Sequence, residues 1–169
     1  MWDDGTTGAQ ERVVDPQLRL QQALDLAYRY LARRDRTVSE VRTQLEHKRV
    51  EPSTIDDVVA ELTELGYLDD ARYAQRYAED RRTLDGWGPD RIERKLVALG
   101  LSRELIAQAL SARDAADELD AAVAVLQRRF REPADDPKGR ERALGVLVRK
   151  GYDLELAYDA VRRFERARA

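Results

Sequence analysis

Three acidic pairs, Asp56-Asp57, Asp69-Asp70 and Asp135-Asp136, have a spacing that could do chemistry, since neighbouring carboxylates can hold a divalent cation or share acid–base work. Each pair also stands at a predicted helix start or turn, where a carboxylate stabilises the amide end of the helix dipole. Nothing joins the pairs into a catalytic set. The chain has no cysteine and a single histidine, His47, which excludes disulfides and thiolate zinc and leaves no basis for a histidine-built metal site. No Ser/His/Asp arrangement, phosphate loop or zinc-protease motif is present. The expectation is a binding protein with no catalytic residue, metal or cofactor.

Binding chemistry is easier to find. Basic residues cluster as Arg72, Arg76, Arg81 and Arg82 on one predicted helix and as Arg91, Arg94 and Lys95 on the next. Further on they recur as Arg128, Arg129 and Arg131, then Arg140, Arg142, Arg149 and Lys150. Arginine dominates, and its planar fork suits phosphate and carboxylate. The net charge of −3 argues against a generic polycation. Glu79, Asp80, Glu93 and Glu141 are interleaved, so these cations are either a solvated, ion-paired helix surface or a contact surface for phosphate or an acidic protein. Trp87, between Gly86 and Gly88, is either a packing plug between structural units or an exposed anchor that a partner buries.

The elements that must carry these residues are helices. Leu20, Ala23, Leu24, Ala27 and Leu31 form the first stripe, after a start near Pro16. Thr37-Val38-Ser39-Glu40 is a capping-box pattern opening a second helix, and Pro52-Ser53 opens a third with Ile55, Val58, Val59, Leu62 and Leu65 inward. Asp69-Asp70, Pro89 and Ser102 begin the next three, bearing Tyr73, Ala74, Tyr77 and Ala78, then Ile92, Leu96 and Leu99, then Leu105, Ile106, Ala109 and Leu110. The last three carry Leu119, Val123, Leu126 and Phe130, then Leu144, Leu147 and Val148, then Leu156, Ala157, Val161 and Phe164 after Asp153. Strand patterning is absent.

These stripes recur every 51 residues. Val41, Ile92 and Ala143 are related by that step, as are Leu45, Leu96 and Leu147, and Gly100 falls on Gly151. The fold class is therefore all-α, with three tandem three-helix repeats of helix-turn-helix outline in an elongated, curved array. The expected divisions are a disordered tail at 1–15 and repeats at 16–66, 67–114 and 115–169. An open array that does not close on itself should be a monomer. No apolar run spans a membrane, and Met1-Trp2-Asp3-Asp4-Gly5 lacks a secretory start, so a cytoplasmic protein is expected. The helix-turn-helix outline does not make a sequence reader, because Asp56, Asp57, Glu61, Glu64, Glu155 and Asp159 on the third helices would repel phosphate.

Gly66-Tyr67-Leu68-Asp69-Asp70-Ala71-Arg72-Tyr73-Ala74, then Gly88-Pro89-Asp90-Arg91-Ile92, then Leu96 to Gly100-Leu101, resembles the RecX family of recombination regulators. Ala27-Tyr28-Arg29-Tyr30-Leu31 and Ser39-Glu40-Val41-Arg42 resemble that family's first repeat, and the likeness covers about residues 20–164. Two departures stand out: Lys48-Arg49-Val50 replaces a glycine stop at the end of the second helix, and residues 1–15 have no counterpart. The resemblance implies a negative regulator of RecA, with the RecA–single-stranded DNA filament as partner and inhibition of filament extension, ATP hydrolysis and strand exchange as the outcome. On that reading the candidates for contact with RecA or DNA are Arg72, Arg76, Arg81, Arg82, Arg91, Arg94, Lys95, Arg140, Arg142, Arg149 and Lys150. A helical-repeat protein binding DNA without RecA, or a scaffold for another protein, fits the same composition.

Overall fold

The computed structural model describes residues 15–133 and 136–167, so the expected disordered tail falls, except for Asp15, outside the described residues. Within them the chain is all-helical: α1 Pro16–Leu31, α2 Val38–His47, α3 Pro52–Glu64, α4 Asp70–Asp85, α5 Pro89–Ala98, α6 Arg103–Leu110, α7 Ala115–Arg129, α8 Pro137–Lys150 and α9 Leu154–Arg166. The starts are local chemistry. The side chains of Asp15, Thr37, Asp69, Ser102, Asp114, Asp136 and Asp153 each accept a hydrogen bond from an otherwise unpaired amide of the first turn. Thr37 and Glu40 complete a reciprocal capping box.

The acidic pairs resolve into caps and ties. Asp69 caps α4, Asp136 caps α8, Asp70 accepts from the Val38 amide at 3.0 Å, and Asp56 pairs with Arg42 at 2.7 Å. Asp135 lies outside the described residues. No described group of three or more acidic or histidine side chains is arranged to hold a metal ion.

Three separate cores follow, one per triplet. Val41, Leu45, Ile55 and Leu62 centre the first, Ile92, Leu96 and Ile106 the second, and Leu126, Leu147, Ala157 and Phe164 the third. Leu68 follows Gly66 in sequence yet is buried in the first core. Two residues expected to face inward do not: Leu65, at the C-cap of α3, and Val148 on α8 are 57% and 43% exposed. Both belong to a helix's last turn, where the stripe has already rotated off the core.

Hydrogen bonds that cross between triplets run from the first to the second and from the second to the third. The two joints occupy corresponding places but are bonded differently. At one, the Gly88 and Asp90 amides at the start of α5 donate to the Lys150 and Gly151 carbonyls at the end of α8, at 2.9 and 3.0 Å. At the other, the buried Thr37 hydroxyl at the start of α2 donates to the Leu99 carbonyl at the end of α5, at 2.8 Å. The second helices of the three triplets thus meet end to end. At the second joint α8 carbonyls accept from α5 amides, whereas at the first a side-chain hydroxyl makes the link and the Val38 amide donates to Asp70.

The period explains which residues can sit at the joints. Gly100 and Gly151 have φ of +79° and +93°, the left-handed C-terminal geometry expected for them. A Cβ on Gly151 would also strike the backbone of Arg91, and one on Gly100 would strike the Ser39 side chain. Arg49, one period earlier, holds the same left-handed turn at φ +60° without a glycine. Gly100→Val or Gly151→Val should therefore cost more than the roughly 1–2 kcal/mol of the backbone penalty alone. Arg49→Gly should shift stability by less than about 1 kcal/mol, strain relief opposing added chain entropy. Urea midpoints of the three variants check the ranking.

Three cores in series also predict a long molecule. Small-angle scattering should give a radius of gyration above the roughly 15 Å expected of a compact chain this size. A value at or below that figure would mean the triplets fold back on one another. No described helix is long and apolar enough to cross a membrane.

Candidate functional site

The eleven basic candidates divide sharply once folded. Arg82 is a correction: it is 4% exposed and cannot meet a partner. Its guanidinium donates to the Leu110 carbonyl at 2.9 Å, reaches the Ala109 carbonyl at 3.4 Å, and lies 3.2 Å from Glu118, itself buried. Arg82 therefore closes the carbonyl end of α6 while touching the first turn of α7, stapling the second triplet to the third. The approach to Glu118 satisfies distance but not direction, so neither Glu118 oxygen has a protein hydrogen bond. Burial raises the Glu118 carboxyl above its ordinary value, outweighing the pull of Arg82 and Arg113.

Other candidates have structural employment. Arg81 pairs with Asp85 and lies over the Tyr77 and Trp87 rings. Arg76 reaches Asp35 at 2.9 Å across the first joint, and Arg140 reaches Glu165 at 2.6 Å. Arg72 donates to the Gly66 carbonyl and Arg94 to that of Asp90, while Lys95 and Arg142 are exposed. Trp87 is half-buried against the second core and covered by Arg91, whose guanidinium carbon sits 4.0 Å from the ring centroid. It is a plug.

Arg91, Arg149 and Lys150 are brought together. They line a cleft of about 770 Å³ at the second joint, where the ends of α4 and α8 meet α5 and α7. Arg128 and Arg129, in the last turn of α7, complete it. None of these five cations makes an ion pair with a described carboxylate. Two are held by backbone instead: Arg91 donates to the Arg149 carbonyl at 3.1 Å and Lys150 to that of Asp85 at 2.5 Å. Asp85, the lone acid among the described residues of the lining, is committed to Arg81. The result is a cluster of positive charge whose one described counter-charge is already engaged, which attracts anions. Sequence position gives the basic character of each residue but not this convergence, which exists only because α8 docks on α5.

Beneath the cleft, Tyr152 is buried and its hydroxyl donates to the Gly86 carbonyl at 3.3 Å. Burial, with Glu118 nearby, pushes its phenol up to about 12 from 10.0. A raised acid favours the folded state below the ordinary value and withdraws that support as pH climbs through the raised one. Tyr152 should therefore be the last tyrosine to ionise, with the joint loosening between about pH 10 and 12. Tyrosinate absorbance of wild type minus Tyr152→Phe isolates that step.

Comparison with known proteins agrees with this architecture. Models of the first, second and third three-helix domains of RecX match residues 23–62, 69–110 and 116–161. The regulatory protein RecX of Mycolicibacterium smegmatis is 32% identical over 157 residues, covering 89% of this chain and 84% of that one. The regulatory protein RecX of Lacticaseibacillus paracasei is 35% identical over 132 residues, covering 77% of this chain but 55% of its own length. The crystal structure of RecX from Lactobacillus salivarius has the same fold, with a TM-score of 0.77 at 18% identity over 88% of this chain and 98% of that one. Three matching domains in order, and a third of residues shared along most of a relative's length, place the chain in the RecX family of regulatory proteins.

Proposed function

We propose that this chain is a non-enzymatic negative regulator of RecA. It binds the RecA–single-stranded DNA filament in the cytoplasm, blocks extension, and thereby lowers ATP hydrolysis and strand exchange. Membership of all three triplets in the RecX family carries this reading. The unpaired cations at the second joint support it, since they supply a surface for phosphate or carboxylate that the acidic remainder of the chain does not.

The test is RecA ATPase on single-stranded DNA. Addition of this protein well below the RecA concentration should suppress hydrolysis, because one blocked growing end affects many protomers. Unchanged hydrolysis at equimolar protein would overturn the assignment.

A further inference from the structure

We propose that the cleft at the second joint is a receptor for an acidic, aliphatic peptide segment of a partner protein. The proposal deepens the functional reading above and rests on it for the identity of the partner, but not for the chemistry of the site.

Arg91, Arg128, Arg129, Arg149 and Lys150 converge on one cavity, and its single carboxylate is already engaged by Arg81. Guanidinium forks left without a carboxylate at a concave site are matched by carboxylates or phosphates. The lining then discriminates between those two. Leu84 stands 75% exposed at the rim, the most exposed large apolar side chain of the described residues, and Val146 and Val125 continue the apolar surface inward. A phosphate backbone has no use for aliphatic wall, and unpaired bases stack on aromatic rings. No lining residue is aromatic, and Trp87 is withdrawn behind Arg91. A peptide alternating acidic and aliphatic side chains answers both halves of the lining.

Position gives the site a consequence. Its walls belong to both triplets, with Leu84 and Arg91 from the second and Arg128, Val146 and Arg149 from the third. A peptide lying between them would bridge the triplets and hold their relative angle.

Trp87 provides the readout, since Arg91 lies across its ring and also lines the cleft. Trp2→Phe in the full chain leaves Trp87 as the sole tryptophan. Three probes would be titrated at moderate salt: a ten-residue peptide of alternating Glu and Leu, a ten-residue all-Glu peptide, and a ten-nucleotide oligo(dT). The Glu–Leu peptide should give a saturable change in Trp87 emission. Combined Arg128→Glu, Arg129→Glu and Arg149→Glu should weaken it at least about tenfold. Leu84→Ser should weaken the Glu–Leu peptide about threefold to tenfold and leave the other probes unchanged. Oligo(dT) binding as tightly as the Glu–Leu peptide, with no effect of Leu84→Ser on either, would overturn the proposal in favour of a nucleic-acid site.

RecA ATPase run in parallel separates the two claims. Peptide capture by a chain that leaves RecA untouched would remove the functional reading and keep the receptor. Inhibition of RecA with no peptide binding up to about 1 mM, a few kcal/mol of affinity, would do the reverse.

Discussion

Arg82→Leu should cost about 3–5 kcal/mol, the penalty of leaving a buried charge and its acceptors without their partner. The substitution strands three groups at once: the Glu118 carboxylate and the Ala109 and Leu110 carbonyls at the end of α6. Glu118→Leu alone should cost less, because Arg82 keeps its two carbonyls. The double variant should recover much of the loss, since a buried ion pair without well-aligned hydrogen bonds is replaced by apolar packing at little penalty. The pH dependence has a definite sign. Glu118 already titrates above its ordinary 4.5, and loss of Arg82 raises it further. A carboxyl raised in the folded state contributes stability below its unfolded pKa and withdraws it as pH rises through the folded one. The deficit of Arg82→Leu should therefore narrow as pH falls from neutrality, and urea titrations at several pH values read it directly. A deficit that widened would mean Glu118 remains charged and finds another partner.

Reversal of Arg128, Arg129 and Arg149 to Glu should raise the concentration for half-inhibition of RecA ATPase at least about tenfold while leaving helicity intact. The three line the cleft and make no ion pair with a described carboxylate, so their removal breaks no internal pair. Reversal also turns attraction into repulsion at a concave site, where the field is focused. As a control, reversal of Arg72, Arg76 and Arg94, outside the cleft lining, should shift inhibition by about twofold or less, since their surface contacts, the exposed Arg76–Asp35 pair included, are each worth little. Equal loss from both sets would spread the contact surface over α4 and α5 instead of the joint. Full inhibition by both variants would remove these cations from the interface.

Much of the architecture was legible because it is local. Thr37, Ser102 and Asp153 cap the helices they were expected to cap, Pro89 opens α5, and Gly100 and Gly151 take the left-handed stop. The step of 51 residues reappears as two joints at corresponding places, with Thr37 and Gly88 starting one helix and Gly100 and Gly151 ending the other. The binding site was less legible for a physical reason. Whether an arginine is solvated, paired or buried depends on residues tens of positions away, such as Glu118 for Arg82 or Asp35 for Arg76. Arg82 and Arg81 read as surface cations and serve the interior and the Trp87 plug. Arg128 and Arg129 read, with Arg131, as one basic group among several and gained meaning only when α7 came to face α8. Arg49 illustrates the remaining gap: the missing glycine reads as a departure, yet the backbone keeps the turn.

That turn bears on how copies of this protein behave toward each other. A joint made by one helix end on another is heterologous, and such joints repeated between molecules generate open fibres. Both outer ends are altered against it. At α2, Arg49 projects a side chain where Gly100 and Gly151 admit the neighbouring helix. At α8, the helix begins before Gly139, the period mate of Gly88, and Asp136 has already claimed the Gly139 amide at 2.8 Å. Concentrated protein should therefore remain free of linear polymer, and engineering a glycine at position 49 together with removal of the first turn of α8 would open the route to one.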